Sequence, residues 1–315
     1  MARPTFSVII NNFNYGRFVG EAVASALAQT ETDREIIVVD DGSTDESRDV
    51  LRRFDSQIRL ILRSNGGQAA ALNEGVRASR GTVLCFLDAD DGWHPQKLAS
   101  IAAAFRAKSR TGLVYHRLQP MRDGKPALRP VPRTLCSGDL SRRLARSAGW
   151  WPFPMTSAIS VRRATWDLAG DIPESFRLSA DAWLTGAYPF VCDVAGLQAS
   201  LGFYRLHRNG WYRDSDDAAM LRRRTRHWEA SVEAVNGFLA GRHSPYRLNL
   251  SDHLPHRLAM AQLDGIDMGG QLSLLRDGLS FAGEPNALRR LRDALRAVWR
   301  LHHANARPAT PRAAE

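Results

Sequence analysis

The first 110 residues constrain the fold most, because two hydrophobic periods alternate there. Continuous apolar, β-rich runs occur at Ser7 to Ile10, Glu35 to Val39, Leu60 to Leu62 and Val83 to Leu87. Runs without polar alternation suit central parallel strands covered on both faces. Helical spacing lies between them. Val19, Val23, Ala26 and Leu27 fall at i, i+4, i+7 and i+8, and Leu72 and Val76 share a face. Leu98, Ile101, Ala102 and Phe105 fall at i, i+3, i+4 and i+7. Ser43 and Glu46 form a capping-box pattern opening the second helix, and Pro95 suits the first turn of the fourth. Such alternation predicts an α/β fold, with a doubly wound, mostly parallel sheet and right-handed crossovers. Ligands bind these sheets beyond the carboxyl ends of the strands.

Polar clusters sit at those ends. "NNFNYG" follows the first strand, "DDGSTD" the second, "NGGQ" the third and "DADD" the fourth. Four clusters at four strand ends converge on one crevice.

In "DADD", Asp88 and Asp90 are two residues apart. On an extended segment they point the same way. Two carboxylates on one face can share one hard divalent cation, Mg²⁺ or Mn²⁺. Such an ion clamps a diphosphate and neutralises its charge on departure. The plainer reading is a solvated acidic loop that caps the next helix, and an isolated DxD is a short pattern. Its context argues for the metal. Asp40 can accept from a nucleobase N–H, and Asp41 can reach ribose or helix amides. Phe13 can stack on a base or merely pack in the core. Gly66 and Gly67 permit close backbone approach to phosphate or sugar, or form an ordinary turn.

The net charge of +10, carried mostly by arginine, implies an acidic partner such as nucleotide phosphates or an anionic membrane. Nucleic acid is not expected, because the basic residues are not interleaved with stacking aromatics. Three cysteines without CxxC spacing exclude a disulfide scaffold or a zinc site, and Cys85 reads as simply buried. "MARPTFSVII" has too short an apolar part for a signal peptide, and Asp193 interrupts the best apolar stretch. No membrane span is expected, and a cytoplasmic location is the simplest reading.

The middle third is less regular. A Pro- and Arg-rich loop spans 123 to 133, followed by "WWPFPM", and "GLQASLGFYRLHRNG" reads as a strand ending in a polar loop. From about residue 216 the pattern becomes helical. Trp228, Val232, Val235 and Leu239 form one stripe. Leu288, Leu291, Leu295 and Val298 form another, surrounded by Arg289, Arg290, Arg292, Arg296 and Arg300. The preferred reading is a helical cap with its leucines packed and its arginines solvated. The alternative is an amphipathic surface on an anionic membrane, at the inner face. The last residues, "ARPATPRAAE", read as a disordered tail.

The ordered series "SVIINNFNYGRFVGEAVASALAQT", "IIVVDDGSTD", "NGGQAAALNEG" and "GTVLCFLDADDGWHP" resembles the family 2 inverting glycosyltransferases with a GT-A fold. The resemblance is strong over residues 5 to 110 and looser to about 212. It implies a nucleotide-sugar-binding half (1–115), an acceptor-binding and catalytic half (116–215), a helical C-terminal extension (216–305) and the tail (306–315). It also implies that Phe13 stacks on the base, that Asp40 hydrogen-bonds it, that Asp88 holds ribose or the metal shell, and that Asp90 binds the metal. Asn14, Asp41, Asn65, Gly67 and Gln68 complete the implied nucleotide-sugar set. This chain has Asn11-Asn12 where the family usually has Pro-Thr.

The family resembles itself again in an acceptor-side Glu-Asp ahead of a helix. Here "FRLSADAWL" offers Ala180-Asp181, so Asp181 is the candidate general base. Its structural alternative is a helix N-terminal carboxylate stabilised by the dipole. In "YRLHRNG", His207 resembles the late histidine that reaches the diphosphate or its metal. The QxxRW-type motif of processive members is absent, so transfer of single sugars is expected. The resemblance implies a nucleotide-diphosphate sugar donor, foremost a UDP-sugar, and a carbohydrate or lipid-linked acceptor. Two rivals stand beside it: a nucleotidyltransferase, and a non-catalytic sugar-nucleotide-binding scaffold that the missing acid at Ala180 keeps in view.

Overall fold

The computed structural model describes residues 5–207 and 217–305. The expected tail at 306–315 lies outside the described residues, as do 1–4, 208–216 and the side chains of Arg300 and of residues 302–305. The chain forms two compact units. One is Met1–Ser141 with Pro152–Tyr212, and the other is Arg142–Trp151 with Arg213–Glu315.

The first unit begins with β1 (Phe6–Asn12), α1 (Gly16–Leu27), β2 (Arg34–Asp40), α2 (Ser47–Arg52), β3 (Arg59–Leu62), α3 (Gln68–Ala78) and β4 (Val83–Asp88). All four expected strands form, each longer by one to three residues. They pair in parallel in the spatial order β3-β2-β1-β4. The chain therefore runs outward from β1 to β3 and returns through α3 to the far side of β1. That reversal puts the topological switch point between β1 and β4, where Asn11 lies beside Asp88.

Next come β5 (Gly92–Trp93), α4 (Lys97–Ala107), β6 (Thr111–Arg122) and β7 (Lys125–Pro126), then α5 (Ser141–Ala145), which from Arg142 on is counted with the second unit, and then β8 (Ile159–Arg162), α6 (Arg163–Ala169), α7 (Asp181–Gly186) and β9 (Asp193–Arg205). β8 joins β4 antiparallel, β6 joins β8 antiparallel, β9 joins β6 in parallel and β5 joins β9 antiparallel. The sheet is thus parallel in its first half and mixed in its second.

The strands are apolar throughout because both faces are covered. Val8 and Ile10 pack with Val19, Val23, Leu98 and Ile101 on one face, and Ile37 and Val39 pack with Ala71 on the other. On α3, a Cβ at Gly75 would stand 2.5 Å from Ile9 Cγ2, so glycine lets this helix sit close on the sheet.

Two local expectations are corrected. Ser43 does not cap α2, which starts at Ser47. Asp45 does the capping, accepting from Ser47 N–H at 3.0 Å and from Gly16 N–H at the start of α1 at 2.8 Å. Pro95 precedes α4 instead of lying in its first turn, and Gln96 is the cap position.

The second unit holds α8 (Ala218–Gly241), α9 (Leu254–Asp264), α10 (Met268–Ser280) and α11 (Ala287–Asn305). The α8 stripe packs inward at Val232, Val235 and Leu239. The α11 stripe does not. Among the described side chains of α11, Ala294 and Leu301 are the buried ones, while Leu288, Leu291 and Leu295 are exposed. Sequence periodicity marks a helix as amphipathic, but it cannot say which of two apolar faces meets a neighbour. Among the described residues no helix is long and apolar enough to cross a membrane.

Candidate active site

Strand register assembles the crevice. Asn12 and Asp40 end β1 and β2 as neighbours, and Asp88 ends β4 beside Asn11. The loops that follow these strands carry the remaining polar residues.

On the β2 side the carboxylates mainly order the loops. Asp40 is fully buried. It accepts from Asn12 Nδ2 at 2.8 Å, Ser43 N–H at 3.0 Å and Arg48 Nε at 3.3 Å. Asp41 accepts from Arg63 at 2.7 Å and from the N–H groups of Gly66 and Gly67 at 2.9 and 2.7 Å. Asp41 therefore fixes the "NGG" loop by charge-assisted bonds. Asn14 takes a left-handed backbone (φ 57°), and its Oδ1 accepts from Thr44 N–H at 2.8 Å. Asn65 donates to the Asp41 carbonyl and accepts from Arg177 at 2.8 Å. Gly67 has φ 94°, and a Cβ there would stand 2.7 Å from Arg177 Cα. Phe13 is exposed on the loop after β1, which sets aside its packing in the core. The Oδ1 atoms of Asn11 and Asn12 are buried acceptors without a hydrogen-bond partner.

The acidic cluster forms the β4 side. Asp88 N–H donates to Ser157 Oγ at 3.0 Å, and Ser157 Oγ–H donates to Asp91 Oδ2 at 2.6 Å. Asp91 is buried and also accepts from Arg205 N–H at 3.0 Å. Arg205 Nε donates to the Asp90 carbonyl at 2.9 Å, and its NH2 reaches Glu21 at 2.8 Å. His207 Nε2 stands 2.8 Å from Asp90 Oδ2, with its ring against Tyr15 and Phe18. Burial, reinforced by Asp90 and Asp181, pushes the Asp88 carboxyl up to about 7. Burial and the same neighbourhood of carboxylates push Asp91 well up. Three close carboxylates with two of them raised are a site short of positive charge.

Asp181 opens α7. Burial pushes its carboxyl up to about 6, against the opposing effect of backbone N–H groups that include Thr156. Gln68 connects the two sides. Its Nε2 donates to Asp88 Oδ1 at 2.8 Å, and its Oε1 accepts from Ala180 N–H at 2.9 Å. The Ala180 side chain is buried, so the position ahead of Asp181 is part of the packing.

The donor set of Asp90, Asp88 and His207 is oxygen-rich, with one imidazole. It suits Mg²⁺ or Mn²⁺. Among the described residues no three His, Cys, Asp or Glu side chains form a ready metal cage. Ions of this class commonly take one or two carboxylates, with phosphates and water completing the shell.

The sequence matches the description "Glycosyl transferase family 2" over residues 7–164, half of the chain. The chain belongs to glycosyl transferase family 2. It is 35% identical over 263 residues to the uncharacterized glycosyltransferase alr2836 of Nostoc sp., covering 80% of each chain. Its fold is similar to that of TarS 1–349 from S. aureus in complex with UDP-GlcNAc, with a TM-score of 0.56 and 17% identity over 96% of this chain and 87% of that one. It is also similar to the mannosyltransferase PcManGT from Pyrobaculum calidifontis in complex with GDP-Man and Mn²⁺ (TM-score 0.55, 20% identity, 99% of this chain and 78% of that one). These likenesses identify the architecture as GT-A.

In this family 2 chain the structure brings Asp88, Asp90, His207, Gln68 and Asp181 to one crevice. It places Asp40, Asp41, Asn14 and Asn65 in the loop scaffold beside it. Sequence reasoning missed Ser157 and Arg205, which hold Asp91 from distant segments, and it missed the bridging geometry of Gln68. Only the "YRLH" stretch at the end of β9 hinted at Arg205.

Proposed function

We propose that this glycosyltransferase is metal-dependent, inverting and non-processive. It moves one sugar from a nucleotide-diphosphate sugar, a UDP-sugar foremost, to an acceptor hydroxyl on a carbohydrate or lipid-linked glycan in polysaccharide or glycoconjugate synthesis. The observation that carries this reading is the Gln68 bridge, which holds the Asp88 side of the acidic cluster and the start of the Asp181 helix in one frame.

Asp181, raised to about 6, is ionised at neutral pH yet basic enough to take a proton. It accepts the proton of the acceptor hydroxyl. The acceptor oxygen bonds to the anomeric carbon as the bond from that carbon to phosphate oxygen breaks, and the electron pair leaves with the diphosphate. Attack opposite the leaving group inverts the centre. Asp90, with Asp88 and His207, would hold Mn²⁺ or Mg²⁺, and the bound ion would neutralise charge on the departing diphosphate. The partnerless Oδ1 atoms of Asn11 and Asn12 suit hydroxyl or N–H donors of the nucleotide. The complexes of TarS with UDP-GlcNAc and of PcManGT with GDP-Man and Mn²⁺ support this donor class.

A thermal-shift screen tests the reading. UDP, GDP, CMP, dTDP, their sugar conjugates and nucleoside triphosphates are each measured with Mn²⁺, Mg²⁺ or EDTA. A metal-dependent rise with one nucleoside diphosphate is expected. A rise only with a triphosphate would transfer the reading to a nucleotidyltransferase. No rise at all would favour a scaffold.

A further inference from the structure

Two helices of the second unit leave a large apolar face uncovered. Gly278 of α10 packs against Ala294 of α11, and Leu274 shares a buried cluster with Leu301. Earlier positions on α10 thus meet later positions on α11, so the two helices run antiparallel. From these packing residues, the exposed Met268, Leu272 and Leu279 lie about 100° around α10. The exposed Leu288, Leu291, Leu295 and Trp299 lie about 100° around α11 in the same rotational sense. In antiparallel neighbours that rotation turns both stripes to the same side, so seven large apolar side chains share one face. Leu288 is 79% exposed and Trp299 62%.

Charge decides what covers this face. Next around each helix, on the outer flanks, come Arg276 on α10 and Arg292 and Arg296 on α11. The Arg276 side chain is 82% exposed. Asp277 and Asp293 lean away from the apolar stripe; Asp277 pairs with Arg257 and stands 3.7 Å from Arg276, and Asp293 pairs with Arg292. Residues 268–305 carry six arginines against three acids, in a chain with a net charge of +10. Pairing two copies through this face would set two surfaces with twice as many arginines as acids against one another, with Asp277 and Asp293 already held by arginines of their own chain. A bilayer with anionic headgroups satisfies both parts, taking the apolar residues into its boundary and the arginines onto phosphate.

We propose that α10 and α11 dock on an anionic phospholipid surface. This goes beyond the transferase reading and stands or falls separately from it. Co-sedimentation of the full chain is measured with vesicles of phosphatidylcholine, or of an equal mixture with phosphatidylglycerol. The wild type is expected to pellet with the mixture, to remain largely free with phosphatidylcholine alone, and to dissociate as salt rises. Leu288→Ser with Leu295→Ser should weaken the partition more than about ten-fold. Arg292→Gln and Arg296→Gln should weaken it about five-fold each on the anionic vesicles. All four positions lie outside the core, and an unchanged thermal midpoint checks that the fold is intact. Failure of the wild type to bind anionic vesicles, or equal binding by the leucine variant, would overturn the proposal. So would a concentration-dependent dimer, without vesicle binding, that the leucine variant makes monomeric.

Discussion

Gln68 Nε2 donates to Asp88 Oδ1 at 2.8 Å, while the same amide accepts from the backbone that leads into Asp181. One neutral side chain thus sets the spacing between Asp88 and the start of the Asp181 helix, the two sides to which the proposed mechanism assigns the diphosphate and the base. Shortening it removes both bonds and lets the two sides drift. Misplacement of about 1 Å can cost on the order of 100-fold in rate. Gln68→Ala is expected to lower kcat by about 10- to 100-fold with little change in nucleotide affinity. Steady-state kinetics beside calorimetric nucleotide titration check this split, and a parallel loss of both would contradict it.

The Asp181 carboxyl, raised by burial to about 6, must be ionised to accept a proton. With Asp181 as the base, activity is expected to be fully present well above pH 6 and to be lost as pH falls through that value. The kcat/KM profile should show an acid limb near pH 6 in the metal-loaded enzyme. Asp181→Asn should remove the limb and lower kcat by about 100- to 10,000-fold, the usual range for a general base.

Burial and carboxylate repulsion raise Asp88 to about 7 and Asp91 well up, so the folded state keeps protons that an unfolded chain releases near pH 4. Their contribution to stability is present at low pH and is lost as pH rises toward 7. In EDTA the thermal midpoint should fall between about pH 5.5 and pH 8 through this cluster. Mn²⁺ with a nucleoside diphosphate should restore it most at the higher pH. A metal effect of equal size at both pH values, or one that persists in Asp90→Ala, would contradict the assignment.

Gly67 combines φ 94° with a Cβ position 2.7 Å from Arg177 Cα. An alanine there meets backbone strain and backbone atoms together. Gly67→Ala should destabilise the chain by about 1–3 kcal/mol and weaken nucleotide binding, because the loop held by Asp41 has to move. Urea unfolding with nucleotide titration measures both.

Much of this was legible in the sequence, for local reasons. Apolar runs at Val8 and Ile37 read as buried strands because each residue reports its own environment. Polar residues at strand ends converge once the strands are parallel, so Asp88 and Asp90 could be nominated with Asp40 and Gln68, while His207 came in through the family resemblance of "YRLHRNG". The rest depended on partners distant in the chain. Ser157 meets Asp91 across 66 positions and Arg205 meets it across 114, contacts that no local period encodes. Ser43 had the composition of a helix cap, but its hydroxyl accepts from Asn12 and Asn14, so Asp45 caps instead. The α11 leucines had a perfectly helical spacing, and only the packing of Ala294 and Leu301 shows that the spacing serves a different face.

The most direct test of the central claim is turnover. Purified protein is given UDP-, GDP- and dTDP-sugars with Mn²⁺ and a mixed set of glycan acceptors, and nucleoside diphosphate release is followed with NMR of the product. The account predicts release of one nucleoside diphosphate per sugar transferred, an inverted anomeric centre, and loss of both in Asp181→Asn and Asp90→Ala. A product that retains the donor's anomeric configuration, or transfer undiminished in Asp181→Asn, would contradict it.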